Sequence, residues 1–223
     1  MLHADAILAF YQSLVPPKKL PKSVVTLNPY QSPEGWKTTE TFYKKYYADQ
    51  KDRHILFGIN PGRFGCGVTG IPFTDPGLLE SDCEIPNDLP KRAELSSGFI
   101  YDVIRAYGGP DAFFSQFFIT GVSPLGFMTD SKNLNYYDIK NWKEIFKKDV
   151  VKWIRAQLEF GIKTDKAYSI GKGDNLKFLN LLNKEYQFFD EIIPLPHPRW
   201  VMQYRTKRKL EFVDEYVEKL SKS

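Results

Sequence analysis

His54-Ile55-Leu56-Phe57-Gly58-Ile59-Asn60-Pro61-Gly62-Arg63-Phe64-Gly65-Cys66-Gly67-Val68-Thr69-Gly70-Ile71-Pro72-Phe73 is the stretch on which the rest of the chain turns. Residues 55–59 form a short apolar run, the pattern of a buried strand. The run then breaks into a loop rich in glycine, with Pro61 and Pro72. A strand followed by glycines sets backbone amides and a few side chains at a strand's carboxyl end, where open α/β sheets bind ligands. Glycine also lets a ligand approach the main chain closely. Asn60, Phe64, Thr69 and Phe73 are the side chains that survive among the glycines, and they become the first candidates for a site.

Working outward, two further strands are expected to end in loops of the same composition. Residues 117–120 read as a strand that leads into Gly121-Val122-Ser123-Pro124-Leu125-Gly126, and residues 191–194 as a strand that leads into Leu195-Pro196-His197-Pro198-Arg199-Trp200. A fourth strand is expected at 167–170. Helices are expected at 5–14, 33–47, 98–107, about 137–160, 174–182 and 204–220, with a helical turn beginning at Asp111. Residues 74–95, with three prolines and scattered acids, read as an irregular excursion. Strands alternating with helices imply an α/β chain with a short, mostly parallel sheet. In such a sheet the three loops share one edge, so Asn60, Ser123 and His197 can converge from distant parts of the sequence into a pocket.

Composition limits what that pocket can be. A chain of 223 residues, 42% hydrophobic, suits one domain with a full core. Aromatic residues are plentiful, at 15%. The net charge of +4 gives only a mild bias toward anionic partners. The start of the chain lacks the basic opening, apolar core and small-residue site of a secretory leader, and no apolar run reaches membrane-spanning length. A soluble, cytoplasmic protein is therefore expected. Two cysteines, Cys66 and Cys83, cannot supply a zinc or iron–sulfur site built on four thiolates, so neither metal nor cofactor is expected.

Several motifs admit two readings. Gly65-Cys66-Gly67-Val68-Thr69-Gly70 satisfies the letter of the dinucleotide fingerprint. It does not sit directly between strand and helix, however, and Ile71-Pro72-Phe73-Thr74-Asp75-Pro76 is a poor helix opening, so a nucleotide cofactor is not inferred. Asn60 before Pro61 is either a turn residue or an amide that orients a water; it cannot serve as a base. Phe73 is either core or a stacking floor for a flat ligand. His197, held between two prolines, is the best placed of three histidines to act as a pre-organised donor. Residues 197–209, His-Pro-Arg-Trp-Val-Met-Gln-Tyr-Arg-Thr-Lys-Arg-Lys, hold Arg199, Arg205, Lys207, Arg208 and Lys209 and no acid. Cations at the start of the closing helix oppose its macrodipole, and Trp200, Met202 and Tyr204 are interleaved with them. That pattern favours phosphate contacts and a wedge into nucleic acid over a plain solvated face.

Asn60-Pro61-Gly62-Arg63-Phe64-Gly65 followed by Thr69-Gly70-Ile71-Pro72-Phe73 resembles the first active-site motif of the single-strand-selective monofunctional uracil-DNA glycosylases, N-P-G-P-F-G and T-G-V-P-F. The resemblance continues through Ser123-Pro124-Leu125 and Asn133-Leu134 to His197-Pro198, and spans about residues 53–220. It implies a three-layer α/β/α sandwich around a short parallel sheet, one domain with an N-terminal helical extension over residues 1–50, and a monomer that flips a damaged base out of DNA. By position, Asn60 would place the attacking water and Phe73 would stack on the flipped uracil. His197 would hydrogen-bond uracil O2, and Gly62 and Cys66 would sense the substituent at C5. Ile59, Phe64, Gly121, Ser123 and Asn133 would complete the substrate pocket. Pro198, Arg199, Trp200, Gln203, Tyr204, Arg205 and Lys207 would meet DNA. Two departures stand out. Where the family carries an Asn that reads the uracil edge, this chain has Gly121. Its second motif, His-Pro-Arg-Trp-Val-Met-Gln-Tyr-Arg, is also bulkier than the family's His-Pro-Ser-Pro-Arg-Asn-Pro, so Arg199 and Trp200 would form the wedge tip.

The chemistry is self-consistent. Breaking the N-glycosidic bond leaves a sugar cation and a uracil anion, which calls for a donor at the anion, a placed nucleophile and a fitted pocket. No lysine stands out near the three loops, so base release without strand cleavage is expected. Two alternatives remain at this point: a binder of modified or flipped bases without chemistry, motivated by Gly121, and a hydrolase of free nucleosides or nucleotides, which the basic segment disfavours.

Overall fold

The computed structural model describes residues 2–130 and 132–222. In chain order the elements are α1 (His3–Gln12), β1 (Val25–Leu27), α2 (Pro33–Tyr47), β2 (Arg53–Gly58), α3 (Cys66–Thr69), α4 (Pro76–Ser81), α5 (Leu95–Ala106), α6 (Pro110–Gln116) and β3 (Phe117–Gly121). There follow β4 (Gly126–Thr129), β5 (Lys132–Leu134), α7 (Trp142–Leu158), β6 (Ile162–Ile170), α8 (Asp174–Tyr186), β7 (Glu191–Leu195), α9 (Pro198–Tyr204) and α10 (Lys209–Leu220).

The central sheet is parallel throughout, in the order β3-β2-β6-β7. Every residue of β2 and β3 is buried, which explains why both read as unbroken apolar runs. Adjacent residues of β3 show the two covered faces. Phe118 packs on Tyr43 and Tyr47 of α2 and on Phe160. Phe117 points the other way, to Tyr107, Phe113 and Tyr168. On that second face α5 packs with α9 and α10, while α1 and α2 pack together on the first. The result is the expected three-layer α/β/α arrangement. At the sheet's lower edge the buried Arg53 guanidinium is held by Asp49 at 2.8 Å and by the carbonyls of Tyr46, Lys51 and Phe114, which satisfies a charge that would otherwise be costly to bury.

Several expectations need correction. A second, antiparallel sheet, β1-β4-β5, was not anticipated. Its strands are three or four residues long and β1 pairs across about a hundred positions, Val25 opposite Met128, so no local pattern announces them. The excursion over 74–95 contains α4, capped by Asp75 on the amides of Gly77 and Leu78. The helix expected from residue 98 starts at Leu95, so that Ser96 and Ser97 lie inside α5. The closing helix begins later than expected: α9 ends at Tyr204 and a 3-10 turn over Thr206–Arg208 precedes α10, which starts at Lys209. His197-Pro198 is a helix start, with Pro198 as the first residue of α9.

Candidate active site

Beyond the carboxyl edge of the parallel sheet lies a cleft of about 820 Å³. The loops after β2, β3 and β7 all line it, through Asn60, Pro124 and His197. The hydrogen-bond ladder runs past the strand ends, from the Val122 amide to the Gly58 carbonyl and from the Ser123 amide to the Ile59 carbonyl, which fixes the first two loops against each other.

Asn60 is held on three sides. Its Oδ1 accepts from the Tyr136 amide at 2.9 Å, and its Nδ2 donates to the carbonyls of Leu134 and Pro61 at 3.1 and 3.2 Å. These neighbours settle which end of the amide is oxygen. Both N–H groups are used, and Oδ1 keeps one lone pair. The same clamp continues outward, because the Tyr136 hydroxyl donates to Asn175 Oδ1 at 2.8 Å and Asn175 Nδ2 donates back to the Gly58 carbonyl at 3.1 Å. Asn175, buried on α8, is a supporting residue that gave no signal in the sequence.

His197 caps α9: its Nδ1 accepts from the Arg199 amide at 3.2 Å. Burial, reinforced by the charge of Arg199, pushes its pKa down to about 4. The ring is therefore neutral at pH 7, with Nδ1 as acceptor and Nε2–H as its one donor.

Phe73 sits in the left-handed backbone region, φ 53°, a strained conformation for a bulky residue. Its ring lies directly over Gly58, where a Cβ would stand 2.8 Å from Cε2. Gly121 is equally constrained: a Cβ there would meet the Ser123 carbonyl oxygen at 2.4 Å, with Ile59 O and the Asn60 Cα at 3.2 and 3.3 Å. No side chain fits at that position unless the backbone shifts.

Ile59, Gly62, Phe64, Cys66 and Asn133 also line the cleft. Cys66 is buried and its thiol is pushed well above the ordinary range by that burial and by Glu94, so it stays protonated. Asn133 is exposed and takes the Arg63 amide on Oδ1 at 3.3 Å. The Phe64 ring carries the guanidinium of Arg92 at 3.5 Å and that of Arg63 at 4.5 Å. Ser123 does not join them. It is fully buried and its hydroxyl is spent on the Leu125 carbonyl at 2.8 Å, so its assignment as a substrate contact is withdrawn.

Of the basic segment, Arg199 reaches the cleft mouth. Trp200, Gln203, Tyr204, Arg205 and Lys207 are exposed on α9 and the turn after it, Trp200 resting edge-on against Phe212 with the Arg205 guanidinium 5.0 Å from its ring. Pro198 is buried beneath them. Arg208 and Lys209 are already neutralised, by Glu211 and Asp102.

Several lining residues were missed, Thr120 among them. Tyr11 and Tyr30 come from the segment read as a mere extension, and Glu94 and Arg92 from the segment read as irregular. Glu94 lies against the backbone of Phe64 and Gly65, accepts from the Ser97 hydroxyl on Oε2 at 3.4 Å, and with that same oxygen occupies the place a Cβ of residue 65 would need. Burial raises its pKa above the usual carboxylate range. Lys132 of β5 also reaches the cleft, contrary to the expectation that no lysine would; it is exposed at the rim.

Known proteins are similar to this chain in sequence and in fold. A family model described as the uracil DNA glycosylase superfamily matches residues 44–221. A Rattus norvegicus protein named single-strand selective monofunctional uracil-DNA glycosylase is 28% identical over 124 residues, 47% of this chain and 44% of that protein. A Mus musculus protein of the same name is 27% identical over 115 residues, 44% of this chain and 40% of its own length. The matched stretch thus spans under half of each mammalian relative. The crystal structure of wild-type Pedobacter heparinus SMUG2 superposes with a TM-score of 0.96 at 41% identity, covering 99% of this chain and 97% of that one.

Proposed function

The chain belongs to the uracil DNA glycosylase superfamily, and on that premise we propose that it hydrolyses the N-glycosidic bond of uracil in DNA, after the nucleotide has been flipped from the stack, without cutting the strand. The observation that carries this reading is the state of His197. A neutral ring whose Nδ1 is occupied by a backbone amide offers Nε2–H as a fixed donor beside Asn60 in one cleft. A donor aimed at uracil O2 stabilises the base as negative charge builds on it, and a neutral donor does so without a counter-charge to hold in the ground state. Asn60 Oδ1 accepts one hydrogen of a water with its free lone pair and turns the water's own lone pair toward C1′. The water adds to C1′ as the N1–C1′ bond breaks, the bond pair leaves with the base, and the water's proton ends on the departing uracil or in solvent.

Phe73 supplies the stacking floor, and Gly62 and Cys66 stand where a C5 substituent would lie. Arg199, Arg205 and Lys207 have no carboxylate partner among the described residues, which supports a role on phosphates, with Trp200 and Tyr204 as apolar tips for the gap in the stack. A lysine that forms a Schiff base needs a desolvated site, and Lys132 is exposed, which supports base release alone.

The test is release of uracil from a labelled oligonucleotide carrying one uracil, single-stranded and opposite G or A, beside a thymine control. Release from uracil only, leaving a strand that breaks on alkali and yields no borohydride-trapped adduct, is the expected result. Binding with no release at high enzyme would instead establish a non-catalytic reader.

A further inference from the structure

The base edge has lost its usual reader at Gly121, and the structure narrows what replaces it. No side chain fits at residue 121, Ser123 is shut off, and Asn133 stands at the exposed rim with its oxygen on Arg63. Three buried hydroxyl-bearing residues, Tyr11, Tyr30 and Thr120, also line the cleft. Tyr11 and Tyr30 stack face to face, centroids 4.3 Å apart at 18°. The Tyr11 hydroxyl lies 3.1 Å from that of Tyr43 and faces those of Thr120 and Tyr30, while the Tyr30 hydroxyl faces the Cys66 thiol. Thr120 is the last β3 residue before Gly121; unlike Ser123 it lines the cleft, and its hydroxyl makes a long bond, 3.4 Å, to the Gly121 carbonyl.

We propose that the hydroxyls of Tyr11, Tyr30 and Thr120 form the wall that reads the N3–O4 edge of the base. With O2 assigned to His197, the rest of the uracil edge offers a donor at N3–H and an acceptor at O4. Each hydroxyl carries one hydrogen and two lone pairs and turns about its C–O bond, so neighbouring hydroxyls supply the acceptor and donor that a single fixed amide would have supplied. Burial keeps both phenols protonated at neutral pH, so the donors persist. The wall is built from α1, the turn after β1, and β3, which makes the N-terminal segment part of the specificity pocket.

This inference rests on the uracil-hydrolase reading, and the experiment separates the two. Tyr11→Phe, Tyr30→Phe and Thr120→Val each delete a hydroxyl and keep the shape. Single-turnover release is measured on oligonucleotides carrying uracil or 4-thiouracil, whose sulfur is a poorer acceptor than O4. Affinity for the same strand with a tetrahydrofuran abasic analogue reports folding and backbone contact. At least one variant is expected to lose about tenfold or more on uracil and to narrow the wild-type preference for uracil over 4-thiouracil, with abasic-analogue affinity unchanged. A preference ratio that is unchanged in all three variants overturns the wall while leaving the hydrolase reading intact. Absence of release from uracil by the unmutated protein overturns the hydrolase reading, and the wall with it.

Discussion

Gly58→Ala tests how tightly the stacking floor is set. The added methyl would lie 2.8 Å from Phe73 Cε2, 3.0 Å from Cζ and 3.4 Å from the Thr120 carbonyl oxygen. To recover an ordinary 3.4 Å contact the ring must retreat by about 0.6 Å, since the strand beneath it is buried and paired on both sides. Phe73 is already strained at φ 53°, and the space open to it is the cleft. A misplacement near 1 Å costs on the order of a hundredfold in rate, so a ten- to hundredfold slower single-turnover release of uracil is expected, roughly 1.4–2.7 kcal/mol on the barrier. Overpacking should also lower the melting temperature, by about 1–3 kcal/mol of stability. Gly98→Ala is the control: nothing lies within 4 Å of its Cβ, it sits inside α5, and it should stabilise by about 0.5–1 kcal/mol with no effect on rate. Trimming the ring in Gly58→Ala/Phe73→Leu should restore the melting temperature. Wild-type release by Gly58→Ala would mean that the base does not lie on Phe73.

Three further outcomes follow from the site. His197 titrates near pH 4, below its ordinary 6.5, so the native state binds fewer protons and stability is lost as pH falls from 6.5 to 4; comparing pH-dependent melting of wild type and His197→Gln should show a contribution of about 2–3 kcal/mol, and release of uracil should be insensitive to this group until about pH 5. Glu94→Ala removes the acceptor of the Ser97 hydroxyl and opens the space against Gly65, and should cost about 1–2 kcal/mol by denaturant melting, while Glu94→Gln, which keeps the shape and one carbonyl oxygen, should lose less. Arg199→Ala, Arg205→Ala and Lys207→Ala should each weaken DNA binding and reduce the log–log salt slope by about 1, whereas Arg208→Ala, already paired with Glu211, should leave the slope unchanged.

The parts of this molecule that are legible in sequence are those whose signal is local. β2 announces itself because burial on both faces leaves an unbroken apolar run, and α2 because Ser32 and Pro33 mark its start. The meeting of Asn60 and His197 in one cleft follows from strand order alone, since parallel strands deliver their following loops to one edge. What escaped was fixed by distant partners. Val25 pairs with Met128, Tyr11 meets Tyr30 and Tyr43, and Glu94 packs against Gly65, twenty-nine residues upstream. Ser123 misled for a related reason: a hydroxyl after a strand looks the same in sequence whether it faces a ligand or a carbonyl two residues on. Gly121 carried information that only geometry releases, because an absent side chain and a forbidden one are written with the same letter.

The closed circuit from Asn60 through Tyr136 and Asn175 to Gly58 bears on how this chain can diverge. Aspartate differs from asparagine at position 60 by one group, yet it would place a carboxylate oxygen against the carbonyls of Leu134 and Pro61, where Nδ2 now donates. The Tyr136 amide would still be satisfied; the other two contacts would become repulsive, half-buried acceptors facing acceptors. Position 60 is thereby held to an uncharged amide by the carbonyl of Pro61 beside it and by that of Leu134 on the hairpin.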